Sequence, residues 1–126
     1  MKVLDSSVLT ALLFKESGIE ILTRDFLSDA VMSSVNMAEV QSNLVVRGAS
    51  PNFAWQEATR YIAAIEPFTA SQAKLAGGLI AQTRSKGLSL GDRACLALAI
   101  ILHAPVYTAD QAWRGLDVGC HIHVIR

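Results

Sequence analysis

The strongest constraint on the fold is the stretch from Ser89 to His103, where a polar opening with one acid, Asp92, runs into an unbroken apolar segment from Cys95 to Leu102. A helix apolar on every side has no face for water and belongs inside a domain. The segment is far too short to cross a bilayer, so that interior is a protein core. Ser89 and Asp92 have capping-box spacing, which places the acid on the first turn, where the helix dipole supports its charge. A carboxylate at the mouth of a buried helix still needs water, a donor or a cation beside it.

Acids recur at comparable places along the chain. Lys2 to Leu4 is a short β-prone run, and Asp5, Ser6 and Ser7 offer caps for a helix from Val8 to Phe14. Ser17 and Glu20 have capping-box spacing and predict a helix through Ile19, Leu22 and Phe26. Val31 to Ser34 reads as a strand, followed by a helix capped by Asn36, carrying Glu39 in its first turn and ending at Gly48. Ser50 and Pro51 start a helix through Phe53, Trp55 and Tyr61, aromatics whose spacing suits a core. A third strand falls within Ala63 to Phe68, and Thr69 caps a helix from Ala70 to about Lys86, in which Gly77 and Gly78 call for close helix packing. After the Asp92 helix, whose end His103 is placed to satisfy, Val106 to Thr108 is a strand, Ala109 to Trp113 a short helical piece, and His121 to Ile125 a last strand. Strands separated by helices predict an α/β domain with a mainly parallel five-stranded sheet flanked by helices, whose functional crevice lies beyond the carboxyl ends of the strands. Asp5, Glu39, Asp92 and Asp110 all fall where a strand has ended or a helix begins.

The chain of 126 residues has the size of one domain, 1–126, with enough length for a real core. Its hydrophobic fraction of 52% and mean hydropathy of +0.36 are high for so small a domain and imply a covered interface. Eleven basic and eleven acidic residues cancel, but acids gathered around a metal would leave the outside positive, favouring an anionic partner. Cys95 and Cys120 lack metal-ligand pairing, and the N-terminus meets Asp5 too soon for a signal peptide, so a reduced, cytoplasmic protein without membrane association is expected.

Each acid alone is explained by capping. Four helix mouths converging at one sheet edge would instead bring their carboxylates into mutual repulsion, raising their pKa values unless a cation lies between them. Hard oxygen ligands without interleaved His or Cys suit Mg²⁺ or Mn²⁺ rather than zinc. One or two such ions neutralise a phosphate oxygen and acidify a water, which suits in-line attack on a phosphodiester.

At these residues the sequence resembles the PIN-domain family. The segments Asp5 to Leu9, Ser34 to Val40, Leu88 to Ala99 and Tyr107 to Trp113 look like its four acidic motifs, and the VapC-type bacterial toxins are the nearest match. The resemblance covers essentially the whole chain. It implies a Mg²⁺-dependent endoribonuclease, with Mn²⁺ as possible substitute, usually dimeric and held inactive by a cognate antitoxin. Asp5, Glu39, Asp92 and Asp110 would form the acidic metal site, Asp5 and Asp92 as direct ligands and Glu39 directly or through water. Ser7 and Thr108 match small hydroxyl positions that orient a carboxylate or cap locally. Arg84, Lys86, Arg93 and Arg114 are candidate RNA contacts or simply a solvated face. Leu12 to Phe14, with the helices through Phe26 and Val45, offer a groove for a partner helix, and the helix around Gly77 a surface for self-association.

Other chemistries fit less well. A phospho-accepting receiver needs an adjacent acid pair and a late lysine, and an aspartyl phosphatase needs an acid where Ser7 stands. Zinc or histidine chemistry at Cys120, His121 and His123 lacks further ligands at suitable spacing. A non-catalytic binding module, with the acids as caps, remains the alternative and predicts that Asp92→Asn keeps function.

Overall fold

Alternate side chains of the central strands feed two different cores, which divides the molecule into layers. In the computed structural model, which describes every residue from Met1 to Arg126, β1 (Lys2–Leu4) sends Val3 to one side and Leu4 to the other. Strand β2 (Ala30–Ser33) separates Val31 from Ala30 and Met32 in the same way. This is the period-two geometry of a strand buried on both faces. With β3 (Ala64–Glu66), β4 (Val106–Thr108) and β5 (Ile122–Val124) they form one sheet in the order β3-β2-β1-β4-β5, and every neighbouring pair is parallel. The expected α/β architecture is therefore present, with a sheet that is wholly parallel.

Seven α-helices connect the strands: α1 (Ser6–Leu13), α2 (Arg24–Leu27), α3 (Ser34–Val46), α4 (Pro51–Thr59), α5 (Ala70–Gly78), α6 (Ile80–Thr83) and α7 (Leu90–Leu102). The apolar helix α7 lies across β1, β2 and β4, with α5 packed outside it. Its Leu96 and Leu98 join Val3, Val31, Val106 and Trp113 in one core. Both leucines are essentially inaccessible, and burying each contributes about 2 kcal/mol. On the other face Val8 and Leu9 of α1 and Met37 and Val40 of α3 cover Leu4 and Met32. No helix is long and apolar enough to cross a membrane.

Several local expectations are corrected. Ser17 and Glu20 form no capping box: Ile19–Ile21 is a 3₁₀ turn behind Gly18, whose φ is 89°. A Cβ there would lie 2.5 Å from the Ile125 carbonyl oxygen, so the C-terminal segment leaves no room for a side chain at this turn. The helix containing Phe26 starts afresh after Thr23, whose hydroxyl accepts from the Phe26 N–H at 3.2 Å. Helix α3 is capped by Ser33, not Asn36, which leaves Asn36 buried in the first turn and Glu39 in the second. The long helix from Ala70 breaks at Leu79, and no atom lies within 4 Å of a Cβ placed on Gly77 or Gly78. Close packing within this chain is therefore not their reason, and they weaken the helix just where it breaks. Phe53 and Trp55 are 56% and 39% exposed rather than in the core. His103 ends α7 through its left-handed backbone, with its N–H donated to the Ile100 carbonyl.

Candidate active site

Strands β1 and β4 are neighbours at the centre of the sheet, and successive strands run outward from them in opposite directions. A crevice opens at such a switch point, beyond the carboxyl ends of the strands. Asp5 follows β1 directly and Asp110 follows β4 by two residues. Asp5 caps α1 and is only 2% exposed. Its Oδ2 accepts hydrogen bonds from the hydroxyls of Ser7 at 2.6 Å and Thr108 at 3.1 Å. The two hydroxyl oxygens also lie 3.2 Å apart, but each has one proton to give and the carboxylate is the stronger acceptor. Their lone pairs are engaged from behind by the N–H groups of Ala109, at 2.9 Å to Ser7, and Asp110, at 3.1 Å to Thr108. Ser7 and Thr108 thus orient a carboxylate across the sheet and are more than local caps. The other oxygen of Asp5, Oδ1, is buried and has no partner.

Burial pushes the Asp5 carboxyl up to about 6, against the opposing effect of the Ser7 and Thr108 hydroxyls, and the negative charges of Asp92 and Glu39 raise it further. Asp92 is also raised, first by burial and then by Asp110, while its bonds to Ser89 and the charge of Arg93 pull it down. All four acids are thus electrostatic neighbours. The capping box at α7 is complete: Asp92 Oδ2 accepts from the Ser89 N–H at 2.9 Å and Ser89 Oγ from the Asp92 N–H at 3.2 Å. Asp110 caps the 3₁₀ turn Gln111–Trp113, with Oδ1 accepting from the Ala112 N–H at 2.9 Å.

Glu39 reaches α7 by a route that its position in the sequence does not reveal. The buried Asn36 amide donates to Glu39 Oε1 and to the Gly91 carbonyl, both at 2.9 Å. The Glu39 carboxylate then lies against the bare α-carbon of Gly91: the three atoms nearest to a Cβ there would all be its own, at 2.5 to 2.9 Å. No three carboxylate, imidazole or thiol side chains in their present rotamers stand close enough to hold a metal ion. The donor set nevertheless fits a hard divalent cation, because it is all oxygen and includes the buried, unpartnered Asp5 Oδ1.

The profile of the PIN domain matches residues 2–118. The chain belongs to the PIN-domain family. No curated protein matches it, but solved structures share its fold. A toxin–antitoxin complex from Klebsiella pneumoniae superimposes with a TM-score of 0.76 at 14% identity, covering 100% of this chain and 98% of that one. VapBC2 from Rickettsia felis, solved with a promoter DNA fragment, gives 0.72 at 17% identity over 99% and 98% of the two chains. VapC20 from Mycobacterium tuberculosis, described as a sarcin–ricin loop cleaving toxin, gives 0.73 at 16% identity over 93% and 97%.

Within this PIN domain the four predicted acids are linked through their charges, Asp5 with Asp92 and Glu39 and Asp92 with Asp110, whereas the predicted cations are dispersed in role. Arg93 donates from Nη1 to the Ala76 carbonyl at 3.0 Å, tying α7 to α5. Lys86 donates to the Arg114 carbonyl at 2.8 Å, Arg114 to the Arg126 carbonyl at 3.1 Å, and exposed Arg84 has no such tie. His123 is stacked on Tyr107, with ring centroids 4.6 Å apart. Sequence reasoning missed Asn36 and Gly91. The available signals were an amide three residues before an acid, and a glycine beside Asp92 in a helix turn where glycine is costly.

Proposed function

We propose that this PIN domain is a Mg²⁺-dependent endoribonuclease, cleaving RNA phosphodiester bonds as the toxin of a toxin–antitoxin pair. The observation that carries the reading is Asp5: a buried carboxylate whose Oδ2 is fixed by two hydroxyls and whose Oδ1 is unpartnered, in the field of Asp92 and Glu39. Asp5, Glu39, Asp92 and Asp110 would hold the ion, with Mn²⁺ an acceptable substitute. Bound there, Mg²⁺ supplies charge neutralisation at the phosphate and a more acidic water. The chain's part is positional: Ser7 and Thr108 aim Asp5, Ser89 steadies Asp92, and Asn36 restrains Glu39. Arg84, Lys86 and Arg114 offer exposed positive charge to an RNA backbone, whereas Arg93 contributes through its effect on Asp92.

The toxin assignment is supported by neighbours solved as toxin–antitoxin complexes. An apolar groove of about 450 Å³, lined by Leu12, Leu22, Leu27 and Ile62 and flanked by Arg24 and Arg60, suits the antitoxin's apolar segment. Homodimerisation belongs to the same proposal, as does a cytoplasmic setting, in keeping with two unpaired thiols.

The test is cleavage of end-labelled total RNA by partner-free protein with Mg²⁺, with chelator, and with Asp92→Asn. Asparagine keeps an acceptor for the Ser89 N–H, so the cap survives while the charge is lost. Discrete fragments that disappear in both controls support the reading. Folded wild type that neither cleaves RNA nor binds Mg²⁺ or Mn²⁺ overturns it and leaves a non-catalytic binding module.

A further inference from the structure

Asn36 and Gly91 are not acids, yet the geometry points to them as one device: we infer that they position the Glu39 carboxylate at the mouth of α7. The inference deepens the metal-nuclease reading and rests on it for its consequence in metal binding. It has two independent supports. The first is attractive. Asn36 is wholly buried, and both protons of its amide nitrogen are committed, one to Glu39 Oε1 and one to the Gly91 carbonyl, each at 2.9 Å. Turning the amide over would set its oxygen against a carboxylate and a carbonyl, three acceptors facing one another, so the orientation is dictated by chemistry. Its oxygen is left buried and without a partner, a cost accepted for holding two elements together.

The second support is steric. Gly91 lies in the first turn of α7, directly before Asp92, and is buried. A methyl group there would occupy the place of the Glu39 carboxylate, with Oε2 at 2.5 Å, Cδ at 2.8 Å and Oε1 at 2.9 Å. The obstructing atoms are the end of a flexible side chain, so Gly91→Ala is compatible with the fold but not with Glu39 where it stands. Glycine's absent side chain thus admits a carboxylate to the positive end of a helix that already carries Asp92. Asn36 prevents that carboxylate from swinging away. Two helices distant in sequence are thereby joined at the point where their acids must act together.

Glycine in a helix is otherwise a disadvantage, and this gives the proposal a test independent of catalysis. In the Glu39→Ala background, Gly91→Ala should raise the urea midpoint, since alanine favours helix and the three atoms nearest the new methyl group are gone. In wild type the same change should give no such gain. Metal binding by titration calorimetry with Mn²⁺ supplies the second readout. Gly91→Ala and Asn36→Leu, which keeps the branching at Cγ but none of the amide's hydrogen bonds, should each weaken Mn²⁺ binding about tenfold, the lower end of the effect of groups that orient metal ligands. Neither should weaken it further once Glu39 is alanine. Equal losses with and without Glu39 would overturn the positioning role, as would an equal gain in urea midpoint in both backgrounds. A wild type that binds no Mn²⁺ would instead remove the metal-nuclease reading, and the unfolding cycle alone would then decide whether Asn36 and Gly91 position Glu39.

Discussion

Thr108 and Asp5, separated by 103 residues in the chain, share a 3.1 Å hydrogen bond across the central pair of strands. The same hydroxyl accepts from the Asp110 N–H, also at 3.1 Å. One buried oxygen therefore links the first acid of the site to the backbone of the last. The strand pairing sets that distance, because Leu4 and Tyr107 are register partners and each is followed directly by one member of the bond.

Replacing Thr108 by valine keeps the shape and deletes the link. The Asp110 N–H loses its acceptor and Asp5 one of its two hydroxyl donors, so Thr108→Val should lower stability by about 1–2 kcal/mol in urea unfolding. On the proposed nuclease reading, RNA cleavage should fall about tenfold as Asp5 loosens, the lower end of the effect of groups that orient metal ligands. Thr108→Ser should recover most of both. A valine variant as stable and active as wild type would show that Ser7 alone fixes Asp5.

The raised Asp5 carboxyl makes stability depend on pH with a definite sign. A folded-state value near 6 against an ordinary 3.8 means that the folded protein binds this proton more tightly than the unfolded chain does. The associated stability is complete below about 3.8 and is lost as pH rises through about 6, a difference of about 3 kcal/mol for a buried group. Urea midpoints measured from pH 4 to 8 without divalent metal should therefore fall more steeply for wild type than for Asp5→Asn. Millimolar Mg²⁺ should restore wild type at the alkaline end and leave the asparagine variant almost unchanged. Parallel pH profiles would refute the assignment of this proton to Asp5.

What could be read from the chain was whatever local chemistry decides. Short β-prone runs ending at Asp5 and shortly before Asp110 mark β1 and β4, and Ser50, Thr69 and Ser89 each cap the helix expected after them. The apolar run after Asp92 is a helix, buried from Ala94 to Ala99 as expected, but its last turn is not enclosed, and Ile101 there is 42% exposed. Strand order was not legible, since every crossover fits several neighbours. Asn36 and Gly91 were hidden because their partners come from elements 55 residues apart, and capping by Ser33 takes Asn36 out of the role its residue type suggested. Ser17 and Glu20 misled for a related reason: their spacing is right for a cap, but the neighbouring glycine answers to the far end of the chain.

That dependence at Gly18 can be measured. At φ 89° a side chain is strained, and a Cβ would lie 2.5 Å from the Ile125 carbonyl oxygen and 2.9 Å from the Arg126 Cβ. The first neighbour is backbone and cannot rotate away, so Gly18→Ala should cost at least about 2 kcal/mol, left-handed strain alone accounting for 1–2. Displacement would be felt next at the Ile125 N–H, which is donated to the Thr108 carbonyl at 2.9 Å. Hydrogen exchange at Ile125 should therefore quicken in the variant, while exchange in α7, buried on the far side of β1, should follow only the global loss of stability. The Arg126–Glu16 ion pair, 2.8 Å long and partly exposed, is too weak to hold the tail in place by itself. Unchanged exchange at Ile125 together with an unchanged urea midpoint would mean that the turn at Gly18 is locally determined and that the C-terminal strand needs no support from it.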